Sequence, residues 1–500
     1  MDHYTLGLKF TAAGQHVRAI EEFERALGLN PDDTRTLFAL GNTARALGLK
    51  PAAEDFYRRV LALEPQRLEA IVNLANLLRS SAQFAAAEAL LQPALAQTPD
   101  SVDLLLALGS TKREQGKSDE AIALYRQALA QSAGFVPALV NLADLLADGG
   151  DDDEALVLYD RALKSDSRNA QARLNRAILY LLRGQLKEGW RDYAARLTLA
   201  GKVPLPDHGL KRWSGESLKR TRLLVSAEQG VGDHLMFASL IPELAARAAA
   251  EGGSVILECE PRLRVLFARS FPTVVTHDWD IETRDGVLRT HYGWLKTMGG
   301  ANAAIEMGSL PRILRKTIEA FPTPHAYLVA DEAEAALWGA EFANLPRPLV
   351  GLCWRSGSVG GERARQYAPL EAWADFVAAL PGTAICAQYD AKPDEIAALS
   401  GRSGKTIIVP QGLDQKRELD RTAALFASLD AMVTAPTAVS WLAAGLGLPT
   451  CKILYDTSWT SFSTHFEPFA PSAQCLMPRR SGDWADVLGQ ALETIRSLPV

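Results

Sequence analysis

Cysteine is scarce: there are five in 500 residues, none in a CxxC pair. That excludes a disulfide framework and a zinc-binding thiolate cluster. Cys259, Cys353, Cys386, Cys451 and Cys475 sit mostly in apolar runs, as thiols buried in a reducing compartment do. No apolar run reaches membrane-spanning length, and no basic stretch followed by an apolar core opens the chain. The expectation is a cytoplasmic protein with no transmembrane segment. Neither sign of charge is in large excess, with 53 Lys and Arg against 59 Asp and Glu for a net of −6, so no nucleic-acid partner is expected. The HExxH motif of zinc enzymes, the GxSxG of serine hydrolases and the P-loop are missing as well. No metal and no tightly bound cofactor are expected.

What the chain does have is repetition. Gly7, Ala19, Phe23, Ala26 and Pro31 return 34 residues later as Gly41, Ala53, Tyr57, Val60 and Pro65. The register continues through Ala75, Ala87, Leu91, Ala94 and Pro99, through Gly109, Ala121, Tyr125 and Ala128, and through Ala143, Ala155, Tyr159 and Ala162. A looser sixth unit carries Ala177, Gly189 and Tyr193. Each unit reads as two helices, with small residues where the helices approach and aromatic or leucine side chains filling the space between them. This pattern resembles the tetratricopeptide repeat, whose stacked helix pairs form a superhelix with an extended concave face. Asn42, Asn73, Asn76, Asn141 and Asn175 lie in the first helices of their units. Their amides both donate and accept, so they either clamp the backbone of a bound polypeptide or satisfy contacts between helices.

Helical periodicity fades over residues 199–220, where Gly, Pro and charge gather, and Trp213 is expected to pack onto the next domain. Short apolar runs then alternate with amphipathic segments. One series starts at RLLVSAE (222–228) and a second at RPLVGLCW (347–354). Buried strands alternating with helices predict parallel sheets covered on both faces. The domains expected are a repeat region at 1–198, a linker at 199–220, and two doubly wound domains at 221–345 and 346–500.

Such sheets bind ligands beyond the carboxyl ends of their strands, which selects the candidate residues. In EQGVGDH, Gly230 and Gly232 let the chain turn after the first strand, and Asp233 stands at the mouth of the next helix. It is read as a general base, a helix cap, or a group orienting an acceptor. Glu228, Gln229 and His234 flank it as acceptor-side or supporting groups. In the second series Arg355, Ser356 and Gly357 follow a strand as a phosphate clamp or a surface ion pair. Gln388 closes another strand. Thr434 ends a third, before Thr437 and Ser440 at a helix start able to hold an anion or simply to be capped. Near 456–469, Trp459 and Glu467 fall in an aromatic, hydroxyl-rich loop.

The segments EQGVGD, WRSG (354–357) and DRTAALFASLDAMVTAPTAVSWLAAGLGLPT (420–450) resemble bacterial proteins that join tetratricopeptide repeats to a heptosyltransferase-like glycosyltransferase of the two-domain GT-B fold. The overall arrangement is similar to flagellin glycosyltransferases that move a nonulosonic acid from its CMP form onto Ser or Thr. The resemblance implies an all-α repeat superhelix followed by an α/β GT-B-like pair. It implies metal-independent transfer from a nucleotide-sugar donor such as a CMP-linked sugar to a protein acceptor such as flagellin, recruited by the repeats. Asp233 would be the catalytic acid, with donor contacts around Arg355 and the Thr437 helix. Where relatives show Asp-Thr and then His-Leu-Ala, this chain has Ala435-Pro436-Thr437 and Trp441-Leu442-Ala443, which puts the usual donor in doubt. Two alternatives stand beside it: a non-enzymatic scaffold or chaperone with a degenerate GT-B domain, and a glycosyltransferase acting on lipid or glycan.

Overall fold

The computed structural model describes residues 2–199, 206–284, 287–322, 326–357, 366–480 and 482–499. The chain divides into two compact units, Met1–Asn175 and Arg176–Val500. Residues 200–205 of the expected linker lie outside the described residues.

The first unit is all helix. Its pairs are α1 (His3–Ala12) with α2 (His16–Leu29), α3 (Thr34–Ala46) with α4 (Lys50–Leu63), α5 (Leu68–Ser80) with α6 (Phe84–Gln97), α7 (Val102–Glu114) with α8 (Ser118–Gln131), and α9 (Val136–Asp148) with α10 (Asp152–Ser165). A sixth pair, α11 (Ala170–Leu182) and α12 (Leu186–Tyr193), comes next, and the division between units falls within α11. Gly41 and Gly109 lie where a Cβ would come within 2.6 Å of the rings of Tyr57 and Tyr125, so the small-against-aromatic pattern is what lets each pair close. First helices of successive pairs also touch, α1 with α3, α5 with α7 and α7 with α9. In a curved stack the elements that approach one another across repeats are those on the inner side.

A second 34-residue series sits in the tight turn within each pair. Gly14, Gly48, Gly116, Gly150 and Gly184 all have φ between +70° and +86°, and the place between Gly48 and Gly116 is filled by Ala82 at φ +58°. An L side chain in the left-handed region costs about 1–2 kcal/mol, which glycine avoids.

The second unit holds two parallel sheets of a Rossmann-like kind. The first takes the order β3-β2-β1-β6 from β1 (Arg222–Ser226), β2 (Ser254–Cys259), β3 (Val275–Asp278) and β6 (Ala303–Glu306). A separate hairpin, β4 (Ile281–Arg284) and β5 (Val287–Thr290), is antiparallel. The second sheet takes the order β12-β11-β10-β7-β8-β9 from β7 (Leu349–Cys353), β8 (Thr383–Cys386), β9 (Ile407–Ile408), β10 (Ala431–Thr434), β11 (Thr450–Ile453) and β12 (Ala473–Leu476). Strand order reverses beside β1 in one sheet and beside β7 in the other, the places where α/β folds open a crevice.

The helices of this unit are α13 (Val231–Ala238), α14 (Ile241–Glu251), α15 (Arg264–Ser270), α16 (Trp294–Thr297), α17 (Pro311–Leu314), α18 (Glu332–Glu341), α19 (Leu370–Ala379), α20 (Pro393–Ser403), α21 (Leu419–Ala427), α22 (Ala438–Gly445) and α23 (Trp484–Arg496). Trp213 is buried; its backbone N–H donates to the Ala304 carbonyl at 2.8 Å and its indole to that of Glu216 at 2.9 Å. No helix among the described residues is long and apolar enough to cross a membrane. All five cysteines are free and buried.

The odd residue in the turn series gives a test with opposite signs at two equivalent places. Ala82→Gly should raise the urea-unfolding free energy by about 0.5–1 kcal/mol, and Gly116→Ala should lower it by a similar amount. A loss of stability in Ala82→Gly would contradict the left-handed assignment.

Candidate functional site

The turn after β1 is built from within. Glu228 is buried, and Arg196, just beyond α12, holds it from one side: the guanidinium Nε donates to Oε2 at 3.1 Å and Nη2 donates to Oε1. The Gly308 N–H donates to Oε1 at 2.9 Å from the other side. Gln229 takes φ +66° and accepts from the Tyr193 hydroxyl at 3.2 Å, while its amide nitrogen is buried without a partner among the described residues. Arg196 stacks over the Tyr193 ring at 4.6 Å. Trp190 of α12 packs edge-on against Trp459, Phe462 and Phe469. The last repeat tyrosine and its neighbours are thus core components of the α/β unit.

Asp233 accepts the Gly230 N–H at 3.1 Å across the first turn of α13. Burial pushes its pKa up to about 6, against the lowering effect of that N–H. His234 is fully enclosed: Nε2 donates to the Glu228 carbonyl at 2.9 Å and Nδ1 accepts the Glu260 N–H at 3.1 Å. Both ring nitrogens are occupied, and burial lowers its pKa to about 4.

The candidate residues of the second sheet are likewise engaged. Arg355 makes a two-pronged pair with Glu395, at 2.6 and 2.7 Å, and donates to Asp390 at 2.8 Å. The Glu395 bonds, with the Asp390 charge behind them, raise its pKa above the usual arginine value. The Gln388 carbonyl accepts the N–H groups of Trp354 and Arg355 at 3.0 and 3.1 Å, and its amide donates to Asp390 at 2.7 Å. Gly357 donates its N–H to the Tyr389 hydroxyl, and Ser356 lies half-buried beside it. Thr434, fully buried, donates to the Ala435 carbonyl at 2.8 Å. Thr437 caps α22 by accepting the Val439 N–H at 3.3 Å, and Ser440 donates back to the Thr437 carbonyl at 2.7 Å.

Helix α13 packs directly on α22, with Gly232 facing Ala438 and Trp441. Beside this contact is a cavity of about 190 Å³, walled mainly by Val231, Leu235, Tyr389, Leu419, Val439 and Leu442. No group of three or more His, Cys, Asp or Glu is placed to hold a metal ion among the described residues.

Three buried charged groups had no sequence signal. Glu258 on β2 accepts from the Ala227 N–H at 2.9 Å and from the Tyr292 hydroxyl at 3.2 Å. Burial raises its pKa to about 7. Arg315 is buried against Phe321 and bonds Glu243 at 2.7 Å. Lys452 pairs with the buried Glu467 beside the Thr460 hydroxyl. Each stands alone in an apolar run or a loop, where periodicity says nothing about its partner.

In the repeats the asparagines form a ladder. Asn42 accepts from the Tyr57 hydroxyl at 2.8 Å and from Asn73 at 2.9 Å. Ser110 accepts from Tyr125 at 3.2 Å and Asn141 at 3.3 Å. Asp144 accepts from the Tyr159 hydroxyl and, at 2.7 Å, from Asn175. Asn76 occupies the equivalent acceptor position, but Leu91 and Ala107 replace its tyrosine and asparagine. It is half-buried and has no hydrogen bond from its side chain to the described residues.

Models of the tetratricopeptide repeat match residues 4–67, 72–134 and 140–201, and a further one residues 112–166. Protein FlbA of Caulobacter vibrioides is 34% identical over 334 residues, covering 65% of this chain and 55% of FlbA. The chain therefore spans about half the length of that relative, and the likeness reaches past the repeats into the α/β unit. Among solved structures, a thermophilic TPR protein of Thermus thermophilus is 28% identical with a TM-score of 0.33, covering 36% of this chain and 97% of its own. MamA is 26% identical with a TM-score of 0.30, covering 34% and 98%.

Residues 4–201 thus match models of the tetratricopeptide repeat and the chain is similar to Protein FlbA, with an all-α repeat region followed by an α/β region of parallel sheets. The glycosyltransferase expectation is corrected, both for transfer of a nonulosonic acid to flagellin and for a lipid or glycan acceptor. The family models that match are those of the tetratricopeptide repeat, and the relative is Protein FlbA; neither is a glycosyltransferase match. The physical counterpart is that Arg355, Gln388, Thr437 and Ser440 spend their hydrogen bonds inside the fold.

Glu258 provides a test of the buried charge. With its pKa raised from the ordinary 4.5 to about 7, the folded state binds a proton that the unfolded state releases, so stability falls as pH climbs through that window. Glu258→Gln keeps an acceptor for Ala227 and Tyr292 and should remove that fall. Relative to wild type it should gain, between pH 4.5 and 7.5, on the order of 3 kcal/mol at most. Parallel stability curves for the two proteins in urea would contradict the assignment.

Proposed function

We propose that the protein is a non-enzymatic scaffold that holds a polypeptide segment along the inner face of its repeat array. The α/β region, read as a GT-B-like pair of doubly wound domains, serves as a rigid body and not as a catalyst. The repeats are protein-interaction modules, and the observation that carries the reading is the asparagine ladder. Asn73 and Asn141 each use one amide hydrogen on a neighbouring repeat. The amide nitrogens also lie against the Tyr57 and Tyr125 hydroxyls, so the side chains are fixed and their carbonyl oxygens are left for a partner. Asn175 also accepts from Gln171 at 2.6 Å, so it offers only a donor. Asn76, in the middle of the row, keeps its whole amide free of the described residues. A peptide backbone, which carries one donor and one acceptor per residue, suits such a row.

A photo-crosslinking side chain placed at position 76 should capture a partner in cells, while one at the exposed Asp55 on α4 should not. In titration of that partner, Asn76→Ala should weaken binding about fivefold, the value of one net hydrogen bond, with no change in thermal stability. Asn73→Ala should weaken binding and also lower stability by about 1 kcal/mol, since it removes a bond between repeats as well. Equal capture from both positions, or unchanged affinity in both variants, would overturn the reading.

A further inference from the structure

The α/β unit contains a second cavity, of about 570 Å³, separate from the α13–α22 contact. Its walls come from α12, the segment before β1, α14, β6 and α17. Six cations line it: Lys187, Arg191, Arg212, Arg247, Arg312 and Lys316. Three of them have carboxylate partners. Arg191 meets Asp192 at 3.2 Å, Arg212 meets Glu306 at 2.8 Å and Arg247 meets Glu251 at 3.0 Å. Lys187, Arg312 and Lys316 have no hydrogen bond or ion pair from their side chains to the described residues.

Trp190, a wall residue only 2% exposed, has a buried indole N–H with no acceptor among the described residues. Leaving such a group buried and unpaired costs about 1–3 kcal/mol, a cost that an acceptor in the cavity would remove. The hydroxyl of Ser309 is no rival acceptor, because it already takes bonds from Arg196 and Arg212 at 2.9 and 3.2 Å and gives one to Glu306 at 3.1 Å. Arg247 lies 5.3 Å above the Trp213 ring, which leaves an aromatic wall beside the cations.

From this geometry we infer that the cavity binds a small molecule bearing two or more phosphoryl groups. Its open side-chain groups are donors, apart from the Glu188 carboxylate and the Ser214 hydroxyl, which can also accept. A polypeptide would bring backbone N–H groups that need acceptors, and the wall has almost none to give. A polyphosphate ester brings only acceptors and negative charge, which matches ammonium, guanidinium and indole donors. The volume falls within the range usual for small-molecule sites, roughly 300–1,000 Å³. This inference does not depend on the scaffold reading, since no repeat of the first unit contributes to the cavity.

The test is calorimetric titration of the full chain at fixed salt with tripolyphosphate, inorganic phosphate and an octaglutamate peptide as probes. Tripolyphosphate should bind saturably at one site and at least tenfold tighter than either of the others. Arg312→Gln with Lys316→Gln should weaken it tenfold or more. The same loss of two charges at the exposed Lys219 and Lys296 should change affinity less than twofold. Trp190→Phe keeps the ring packing and removes the N–H, and should weaken binding severalfold; Lys316→Gln alone serves as the mildest variant should the others fold poorly. Non-saturable binding, an equal loss in the Lys219 and Lys296 control, or octaglutamate binding as tightly as tripolyphosphate would each overturn the assignment.

Discussion

The buried pair between Arg196 and Glu228 fixes most of what surrounds it. It ties the residues after α12 to the turn that ends β1, and it is locked from the far side by the Gly308 N–H and the Ser309 hydroxyl. A buried ion pair adds little net stability compared with apolar packing, but removing one partner strands a charge at a cost of about 3–5 kcal/mol. Its effect is therefore on specificity: the last repeat helix has one place to sit. The Tyr193 hydroxyl shows the same substitution at the level of hydrogen bonds. In earlier repeats the equivalent tyrosines reach an acceptor on the preceding helix, at Asn42, Ser110 or Asp144. At position 178 the series runs out with Ile178, and Tyr193 bonds Gln229 of the α/β unit instead.

The turns at the strand ends illustrate how residue types associated with catalysis also hold a fold together. A strand carboxyl end and a helix start leave orphan N–H groups that need acceptors. Asp233, Gln388 and Thr437 supply them. Arg355 gathers two carboxylates, Asp390 and Glu395, that would otherwise repel each other. In sequence, a group that satisfies its own backbone and a group waiting for substrate look identical; only the partners tell them apart.

Much of the architecture was legible. The 34-residue register came from Gly41, Tyr57 and their equivalents because close helix packing imposes a volume constraint on each. Strands around 222–226 and 349–353, and the one ending at Thr434, were visible as short apolar runs. Other elements were not. The stretch from Val231 to Glu251 is two helices, α13 and α14, separated at Ser239 and Leu240, a break its apolar pattern does not signal. Strands β6 and β12 were missed: AAIE and AQCL are four residues long and differ little from neighbouring loops. The second glycine series, with its exception at Ala82, lay in plain view but acquires meaning only with the sign of φ. The candidate residues were selected by type and position, while Arg196, Glu258 and Trp190 carried no such signal because their significance depends on contacts distant in the chain. The basic cavity escaped for the same reason, its cations being spread from Lys187 to Lys316.

That α12 and the residues after it are structural parts of the α/β body can be measured directly by comparing two fragments in thermal unfolding, residues 176–500 and residues 199–500. The first should melt in a cooperative transition, and the second, without Trp190, Tyr193 and Arg196, should lose cooperativity or unfold at a much lower temperature. Identical transitions in the two fragments would contradict the account.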